Sequence, residues 1–479
     1  MRTEVDGATI REPVALPALA GLRVHLVGVG GAGMSGAAAL LLEAGAIVSG
    51  SDLVPFDGMG DLVARGARIA VGHREEQLRT GVDLVVISAA IPRENPEFAA
   101  ARARGVPVIK YAALLGGLMA RRKGVAIAGT HGKSTTTAMT VHLFRQAGLD
   151  PSFILGAKSA QTNGGSGYGR GPHFIVESCE YDRSFLHLHP QCAAILNLEA
   201  DHLDCYQDLE HVVGAFAEFA SQVRPDGLII GNGDDPMVMQ AVRSSVARVQ
   251  TFGLDNEADW EVADVRSEGG RSAFDVRFYG DRILSTELAI PGRHNVANAL
   301  AATALAFHAG ADVQGIAKAL ASFDGVGRRL TWRGERGGVT ILDDYAHHPT
   351  EIRVTLEAAR GRYEPKRLWV VFQPHQYART CHFMDDFARS FALADEVIVP
   401  DIYGARESDP QACSAGAQEL ASRICRLGGH ARYVPSLEGA TAHLMECVVD
   451  GDLVITMGAG DVWKVADDLV ARICRPDRA

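Results

Sequence analysis

The stretch Gly129-Thr130-His131-Gly132-Lys133-Ser134-Thr135 constrains this chain more than any other, because of what flanks it. An apolar, strand-like run at 125–128 leads into it, and a helical stretch from Lys133 to Ala147 leads out. A glycine loop between a buried strand and a helix aims backbone N–H groups and a helix N-terminus at one point, which makes a cradle for polyphosphate. The loop therefore predicts an ATP site built from Gly129, Thr130, His131, Gly132, Lys133, Ser134 and Thr135. Lys133 supplies a point charge for the β and γ phosphates, and Ser134 a hydroxyl for Mg²⁺. Ile127 occupies the place of the first glycine in the strict G-x-x-x-x-G-K-[ST] pattern, so this is a shorter variant. A structural glycine turn with an exposed lysine could carry the same Gly-Lys-Ser; the strand and helix around it favour phosphate binding.

A chain of 479 residues, 47% hydrophobic and 22% charged, is too long for one core and too apolar to be disordered. The pattern predicts an α/β protein of three domains, with boundaries at 1–120, 121–328 and 329–479. Short β-rich runs at 24–29, 46–49, 84–88 and 106–109 alternate with Ala/Leu-rich helical runs, as in a Rossmann-like parallel sheet. After the polar Arg121-Arg122-Lys123, a central P-loop domain carries strands at 174–176 and 193–196. It continues through a charged β-like stretch near 260–288 and two helical patterns between 294 and 323. Strand-like runs at 339–342, 368–372, 397–399 and 453–456 predict a third, doubly wound domain. Residues 164–171 read as a flexible glycine-rich loop.

The balance of 47 Lys+Arg against 58 Asp+Glu gives a net charge of -11, which argues against a nucleic-acid partner. The eight cysteines, Cys413 and Cys474 among them, form no CxxC pair, so neither a zinc ribbon nor a disulfide framework is expected and a reducing compartment fits. Glu4, Asp6 and Glu12 break up the opening stretch and argue against a signal peptide. The uncharged run 26–42 is rich in glycine and reads as strand, turn and helix, with no membrane insertion expected. A cytoplasmic protein is the expectation; the oligomeric state is left open.

Glu177 follows an apolar strand, where the strands of open α/β sheets meet their ligands. A second cluster, Asn197-Leu198-Glu199-Ala200-Asp201-His202-Leu203-Asp204, follows the next such strand. Ser134, Glu177 and His202 are the candidate metal ligands, although a lone histidine is more often a hydrogen-bonded loop residue and acidic clusters are often caps. Upstream, Gly28-Val29-Gly30-Gly31-Ala32-Gly33 matches G-x-G-x-x-G, with Asp52 placed to read a ribose. Such a loop recognises pyrophosphate and not nicotinamide, so it suits NAD or another diphosphate compound. Two nucleotide loops in one chain fit a ligase better than a dehydrogenase; an NAD-dependent dehydrogenase and a nucleotide-binding sensor are the alternatives from other classes.

From about Gly21 onward the chain resembles the Mur ligase family. The resemblance is carried by Gly28 to Gly36 with Met34-Ser35, by Ser88-Ala89-Ala90-Ile91 with Asn95-Pro96-Glu97, and by the loop at 129–135. It continues through Glu177 to Asp182, Asp201-His202-Leu203-Asp204, and Pro291-Gly292-Arg293-His294-Asn295 with Asn298. Toward the end come Gly327-Arg328-Arg329, Asp343-Asp344-Tyr345-Ala346-His347-His348-Pro349-Thr350-Glu351, Gln373-Pro374-His375 and Gly458-Ala459-Gly460-Asp461. The resemblance implies an ATP- and Mg²⁺-dependent amide-forming ligase of peptidoglycan synthesis, with UDP-N-acetylmuramate, L-alanine and ATP as substrates. It implies an N-terminal domain for the UDP-sugar, a central ATPase and a C-terminal domain for the amino acid.

By that resemblance Gly28, Gly30, Gly31, Gly33, Met34, Ser35 and Asp52 would meet the UDP-sugar, while Asn295, Asn298 and Arg329 would join the ATP site. Tyr345, His347, His375 and Arg379 would lie near the amino acid, with Lys133, His347 and Arg379 acting in catalysis and His347 as a base. Three positions depart from the family pattern. Ser134 stands for the usual Thr, Gln376 for a common Arg after Gln-Pro-His, and Cys179 for an acid in the Glu177–Asp182 loop. A ligase of the same family that adds a peptide instead of one amino acid is the nearest rival.

Overall fold

The structure is a computed structural model and describes residues 13–202, 205–405 and 416–473. Glu4, Asp6, Glu12, Leu203, Asp204, Cys413 and Cys474 lie outside the described residues. Three sheets follow one another along the chain. The first contains β1 (Arg23–Val27), β2 (Ile47–Asp52), β3 (Arg68–Val71), β4 (Leu84–Ile87) and β5 (Val108–Lys110), all parallel, in the order β3-β2-β1-β4-β5. The order reverses between β1 and β4, so the loops after them diverge and leave a crevice at the carboxyl edge.

The second sheet contains β6 (Lys123–Ala128), β7 (Ser152–Ser159), β8 (Gly164–Gly167), β9 (His173–Glu177), β10 (Cys192–Ile195), β11 (Leu228–Asn232), β12 (Arg248–Gly253), β13 (Trp260–Glu268), β14 (Arg271–Phe278) and β15 (Asp281–Leu288). Its order is β15-β14-β13-β12-β11-β10-β6-β9-β7-β8, so β6 lies between β10 and β9. That places the ends of three buried strands side by side. The charged stretch near 260–288 becomes the antiparallel strands β13 to β15.

The third sheet contains β16 (Thr331–Arg336), β17 (Val339–Asp344), β18 (Leu368–Phe372), β19 (Glu396–Val399), β20 (Ala431–Tyr433) and β21 (Leu453–Met457), ordered β16-β17-β21-β18-β19-β20. Only β16 runs antiparallel to its neighbour; the other pairings are parallel. The all-buried runs Leu-Val-Val-Ile of β4 and Leu-Trp-Val-Val-Phe of β18 are what a sheet covered on both faces requires. The uncharged run at 26–42 resolves into the end of β1, a turn and the helix Ala32–Glu43. Among the described residues no helix is long and apolar enough to cross a membrane.

Two expectations are corrected. The glycine-rich segment expected as a flexible loop is partly β8, hydrogen-bonded antiparallel to β7. Beyond β8, Gly169 and Gly171 pack so close to the Asp150 and Leu149 carbonyls that a Cβ would sit 2.1 and 1.8 Å from those oxygens. Here glycine serves close backbone approach, not flexibility. The cysteines are not all free either: Cys381 is disulfide-bonded. Scattered spacing carries no signal for a pairing that tertiary proximity alone sets.

Candidate functional site

The loop after β6 is shaped by two left-handed glycines, Gly129 (φ 140°) and Gly132 (φ 81°). A Cβ on Gly132 would lie 2.7 Å from Asn298 Oδ1, so the helix Arg293–His308 packs directly against the loop. Asn197, just past β10, clamps the other side. Its Oδ1 accepts from His131 N at 2.7 Å, its Nδ2 donates to His131 O at 3.1 Å, and its own carbonyl accepts from Thr130 N at 2.9 Å. Backbone groups that would otherwise frustrate the turn are satisfied, and the loop is held in shape from outside.

Lys133 opens the helix Lys133–Gln146, with Nζ donating to Thr130 O at 3.0 Å and lying 2.9 Å from a Glu180 oxygen. Burial works against its charge, but Glu180, Cys179 and Glu177 together outweigh it and the ammonium is held above its usual pKa. Ser134 Oγ donates to Glu177 Oε1 at 3.0 Å, and Glu177 Oε2 accepts from Gly156 N at 2.8 Å. Glu180 also lies 3.6 Å from His202 Nε2, so it bridges the lysine and the histidine. The structure thus brings Ser134 and Glu177 into contact and ties His202 to Lys133 through a carboxylate that the sequence reading did not assign. His202 itself is strained, with φ 51°, and its ring meets Tyr181 edge-on at 5.2 Å.

A cleft of about 930 Å³ opens beside the loop, lined by His131, Asn197, Phe252, Asn295, Asn298 and Arg329 among others. Asn295 is fixed by its Nδ2 donating to Pro291 O, and Asn298 Nδ2 donates to Asn295 Oδ1 at 3.2 Å. A second, smaller pocket of about 300 Å³ joins Gly31, Gly33, Lys110 and Tyr111 of the first sheet to Glu177 and Cys179 of the second. Asp52 Oδ2 accepts from Gly30 N at 2.7 Å, so one oxygen of the expected ribose reader holds the glycine loop itself. Gly33 faces the Tyr111 hydroxyl, which a Cβ would approach to 2.6 Å. Met34 turns its side chain into the core, and Ser35 Oγ donates to Ala32 O at 3.0 Å within its own helix. At Cys179, which is exposed but lines the smaller pocket, desolvation by the protein around the sulfur, with Glu180 adding to it, raises the thiol pKa to about 12, so the group that replaces a family carboxylate stays uncharged at neutral pH.

The third sheet contributes a compact group. Tyr345 and His347 meet edge-on at 5.3 Å, His347 and His375 at 5.9 Å, and Arg379 Nη1 lies 3.4 Å from His375 Nδ1. Burial drives the His347 pKa down to about 4, partly opposed by Glu351, so its ring is neutral at pH 7. Arg379 Nε and Nη2 donate to Asp201 Oδ1 at 3.0 and 2.6 Å, which draws this group onto the end of the second sheet. Arg329 Nη1 lies 3.4 Å from Glu351 Oε1 and completes the link to the cleft. Gln376 caps the helix Tyr377–His382 with φ 68°, and its N–H donates to Tyr403 O at 2.9 Å.

Asn197, Glu180, Asp201 and Glu351 are the site residues that sequence reasoning left without roles. Their common signal was position after a buried strand or at a helix start.

Comparison with known proteins agrees with this geometry. Residues 23–123 match the Mur ligase family catalytic domain, 127–306 the Mur ligase middle domain, and 328–460 the Mur ligase glutamate ligase domain. The UDP-N-acetylmuramate–L-alanine ligase of Acetivibrio thermocellus is 41% identical over 447 residues, 93% of this chain and 94% of that protein. The crystal structure of the UDP-N-acetylmuramate-alanine ligase MurC of Thermotoga maritima superposes with a TM-score of 0.80 at 28% identity, covering 94% of this chain and 99% of that one. A murein peptide ligase of Psychrobacter arcticus gives a TM-score of 0.71 at 25% identity, covering 96% and 100%. With consecutive domain matches along most of its length and a relative above 40% identity at nearly full coverage, this chain belongs to the Mur ligase family.

Proposed function

We propose that this chain joins L-alanine to UDP-N-acetylmuramate at the expense of ATP, in the cytoplasm, as the first amino-acid addition of peptidoglycan synthesis. The observation that carries the reading is the run of contacts that links the phosphate loop to both a hydroxyl–carboxylate pair and a histidine–arginine group: Ser134 to Glu177, Lys133 through Glu180 to His202, and Asp201 to Arg379 beside His375. Relatives named for this reaction, matching over nearly the whole chain, support the choice of substrates.

The Ser134 hydroxyl and the Glu177 carboxylate are hard oxygen donors 3.0 Å apart. That spacing is close to the roughly 2.9 Å between neighbouring ligands of an octahedral ion with bonds of about 2.05 Å, so the pair fits Mg²⁺. His202 would be the third residue to hold it. When bound, Mg²⁺ supplies neutralisation of phosphate charge.

A carboxylate is a poor acyl donor, so the sugar's lactyl carboxylate would first take the γ-phosphoryl group of ATP and become an acyl phosphate. Lys133, kept charged by Glu180, would stabilise the charge that develops in this transfer. The amine of L-alanine would then attack the acyl carbon and phosphate would leave. With its low pKa, His347 is too weak a base to strip an ammonium; a transfer uphill by about 5 units would cost roughly 7 kcal/mol. We assign it instead to accepting a hydrogen bond from the amine once solvent has taken the proton. Arg379, its charge balanced by Asp201, would offer Nη1 to the amino-acid carboxylate. Closure of the third sheet over the cleft would keep water from the acyl phosphate.

The test is phosphate release with ATP, Mg²⁺ and UDP-N-acetylmuramate, comparing L-alanine, the wall tripeptide and no acceptor. Release with L-alanine is expected. Release with the tripeptide alone would transfer the chain to the peptide-adding branch of the family.

A further inference from the structure

Two imidazoles and a carboxylate meet at one wall of the large cleft, and none belongs to the Ser134, Glu177 and His202 set. His131 comes from the phosphate loop, Glu199 from the segment after β10, and His348 from the cap of the helix Pro349–Tyr363. Their donor atoms all lie within 4.8 Å of one another. His131 Nε2 and His348 Nδ1 are each 3.6 Å from Glu199 Oε2. Ligands about 2.0 to 2.1 Å from a tetrahedral ion lie about 3.4 Å apart, so each of the two histidine–Glu199 separations needs to contract by only a few tenths of an ångström.

The surroundings are those of a metal site as well. The second nitrogen of His131, Nδ1, lies 3.4 Å from Glu351 Oε1, the carboxylate–histidine arrangement that orients a ligating imidazole. Glu199 Oε2 accepts from Thr350 Oγ1 at 2.7 Å. His348 is 3% exposed, and its Nδ1 accepts a long hydrogen bond of 3.3 Å from Thr350 N, which is little to displace. His131 Nε2 is buried and makes no hydrogen bond with the described residues.

We propose that His131, Glu199 and His348 form a second divalent-cation site, taking a borderline ion such as Zn²⁺ in preference to Mg²⁺, that staples the phosphate loop to the third sheet's domain. Two imidazoles and one carboxylate suit Zn²⁺, whereas Mg²⁺ demands oxygen donors and keeps its waters. Three protein ligands leave the fourth position for water or substrate on the cleft side. His348 reaches the loop only while its helix is docked, so an ion held here opposes opening of the cleft. Zn²⁺ is therefore an inhibitor that acts by holding the domains together.

The test titrates Zn²⁺ into the metal-free full-length protein in the presence of excess Mg²⁺, using a chromophoric chelator as competitor and no other substrate, so its outcome is independent of the ligase assignment. One tightly bound Zn²⁺ per chain is expected, together with a rise in Tm. His348→Ala should weaken binding by more than about tenfold and abolish the Tm rise, while Glu351→Gln and Thr350→Ala, which keep all three ligands, should each weaken it by about tenfold or more. Circular dichroism and the metal-free Tm of each variant check folding. X-ray absorption of the Zn²⁺-loaded protein should give a nitrogen- and oxygen-ligated ion at about 2.0 to 2.1 Å. Failure to bind Zn²⁺ stoichiometrically overturns the proposal. So does wild-type affinity in His348→Ala, or loss of the ion in His202→Ala, which would place it in the ATP-metal site.

Discussion

Arg379 and Asp201, 178 residues apart in sequence, are joined by two hydrogen bonds of 2.6 and 3.0 Å and are both buried. The pair ties the third sheet's domain to the end of the second sheet. The Asp201 carboxyl pays for its burial, which raises its pKa, but Arg379, His202 and His347 together hold it well below the usual carboxylate range. Arg379→Ala leaves that carboxylate buried without its cation, a change that costs about 3 to 5 kcal/mol. The expected outcome is a less compact molecule in small-angle scattering and a lower kcat/KM for L-alanine. In the double variant with Asp201→Asn the loss should be smaller than the sum of the two single losses. Unchanged scattering and L-alanine kinetics in Arg379→Ala would remove the pair from both roles.

Glu97 sits at the heart of the first sheet's domain with no exposed surface. It accepts hydrogen bonds from His25 at 2.6 Å, from His73 at 2.9 Å and from Ser51 at 2.7 Å. Burial pushes its pKa up, but these partners outweigh it and the carboxyl is depressed below its ordinary value. Its stabilising contribution is thus present above the ordinary carboxylate pKa and is lost as pH falls through the lower folded value. Glu97→Ala should cost about 3 kcal/mol or more in chemical denaturation, because His25 and His73 lose their common acceptor. A loss below about 0.5 kcal/mol would mean the histidines find other partners.

Gly33 and Tyr111 set the shape of the smaller pocket. Gly33→Ala forces its new methyl against the Tyr111 ring and hydroxyl, and should raise KM for the UDP-sugar while leaving ATP binding unchanged. Tyr111→Ala in the same chain vacates that space and should recover part of the loss. No recovery would locate the damage in the backbone of the loop.

His131 couples the phosphate loop to both other parts of the cleft. Burial lowers its pKa, but Glu199 and Glu351 overcome this and raise it to about 9 from the ordinary 6.5. The stability this pairing adds is complete below about pH 6.5 and is lost as pH rises through about 9. At about 1.4 kcal/mol per unit the contribution is at most about 3 kcal/mol. Denaturation midpoints should therefore fall between pH 7 and 10 in the wild type and fall less in His131→Gln. Parallel pH profiles would show that the imidazole carries no such charge.

Both nucleotide loops were legible in the sequence because each is a local object. Gly129 to Thr135 and Gly28 to Gly33 lie between a strand and a helix that are contiguous with them, and three or four turns of chain suffice to set the geometry. The strands that read clearly, such as β4, β6 and β18, are short apolar runs buried on both faces. The edge strands β3, β8, β16 and β20 were not read, since such strands are defined by the one neighbour they pair with. The interior strands β7, β11 and β12 were missed as well, although β11 is itself a buried apolar run.

For the site, sequence alone could nominate Lys133, Ser134, Glu177, His202, His347 and Arg379 by type and by family pattern. It could not say that Glu180 serves both Lys133 and His202, or that Asp201 takes up two nitrogens of Arg379. Nor could it reveal that His131 faces Glu199 and Glu351, or that Tyr111 makes Gly33 obligatory. Those relationships join segments from different sheets, and only packing brings them together. Local chain geometry determined where phosphate can be cradled; the charge state and partners of every group around it were decided by burial and by long-range contacts, because a pKa answers to neighbours in space and not to neighbours in sequence.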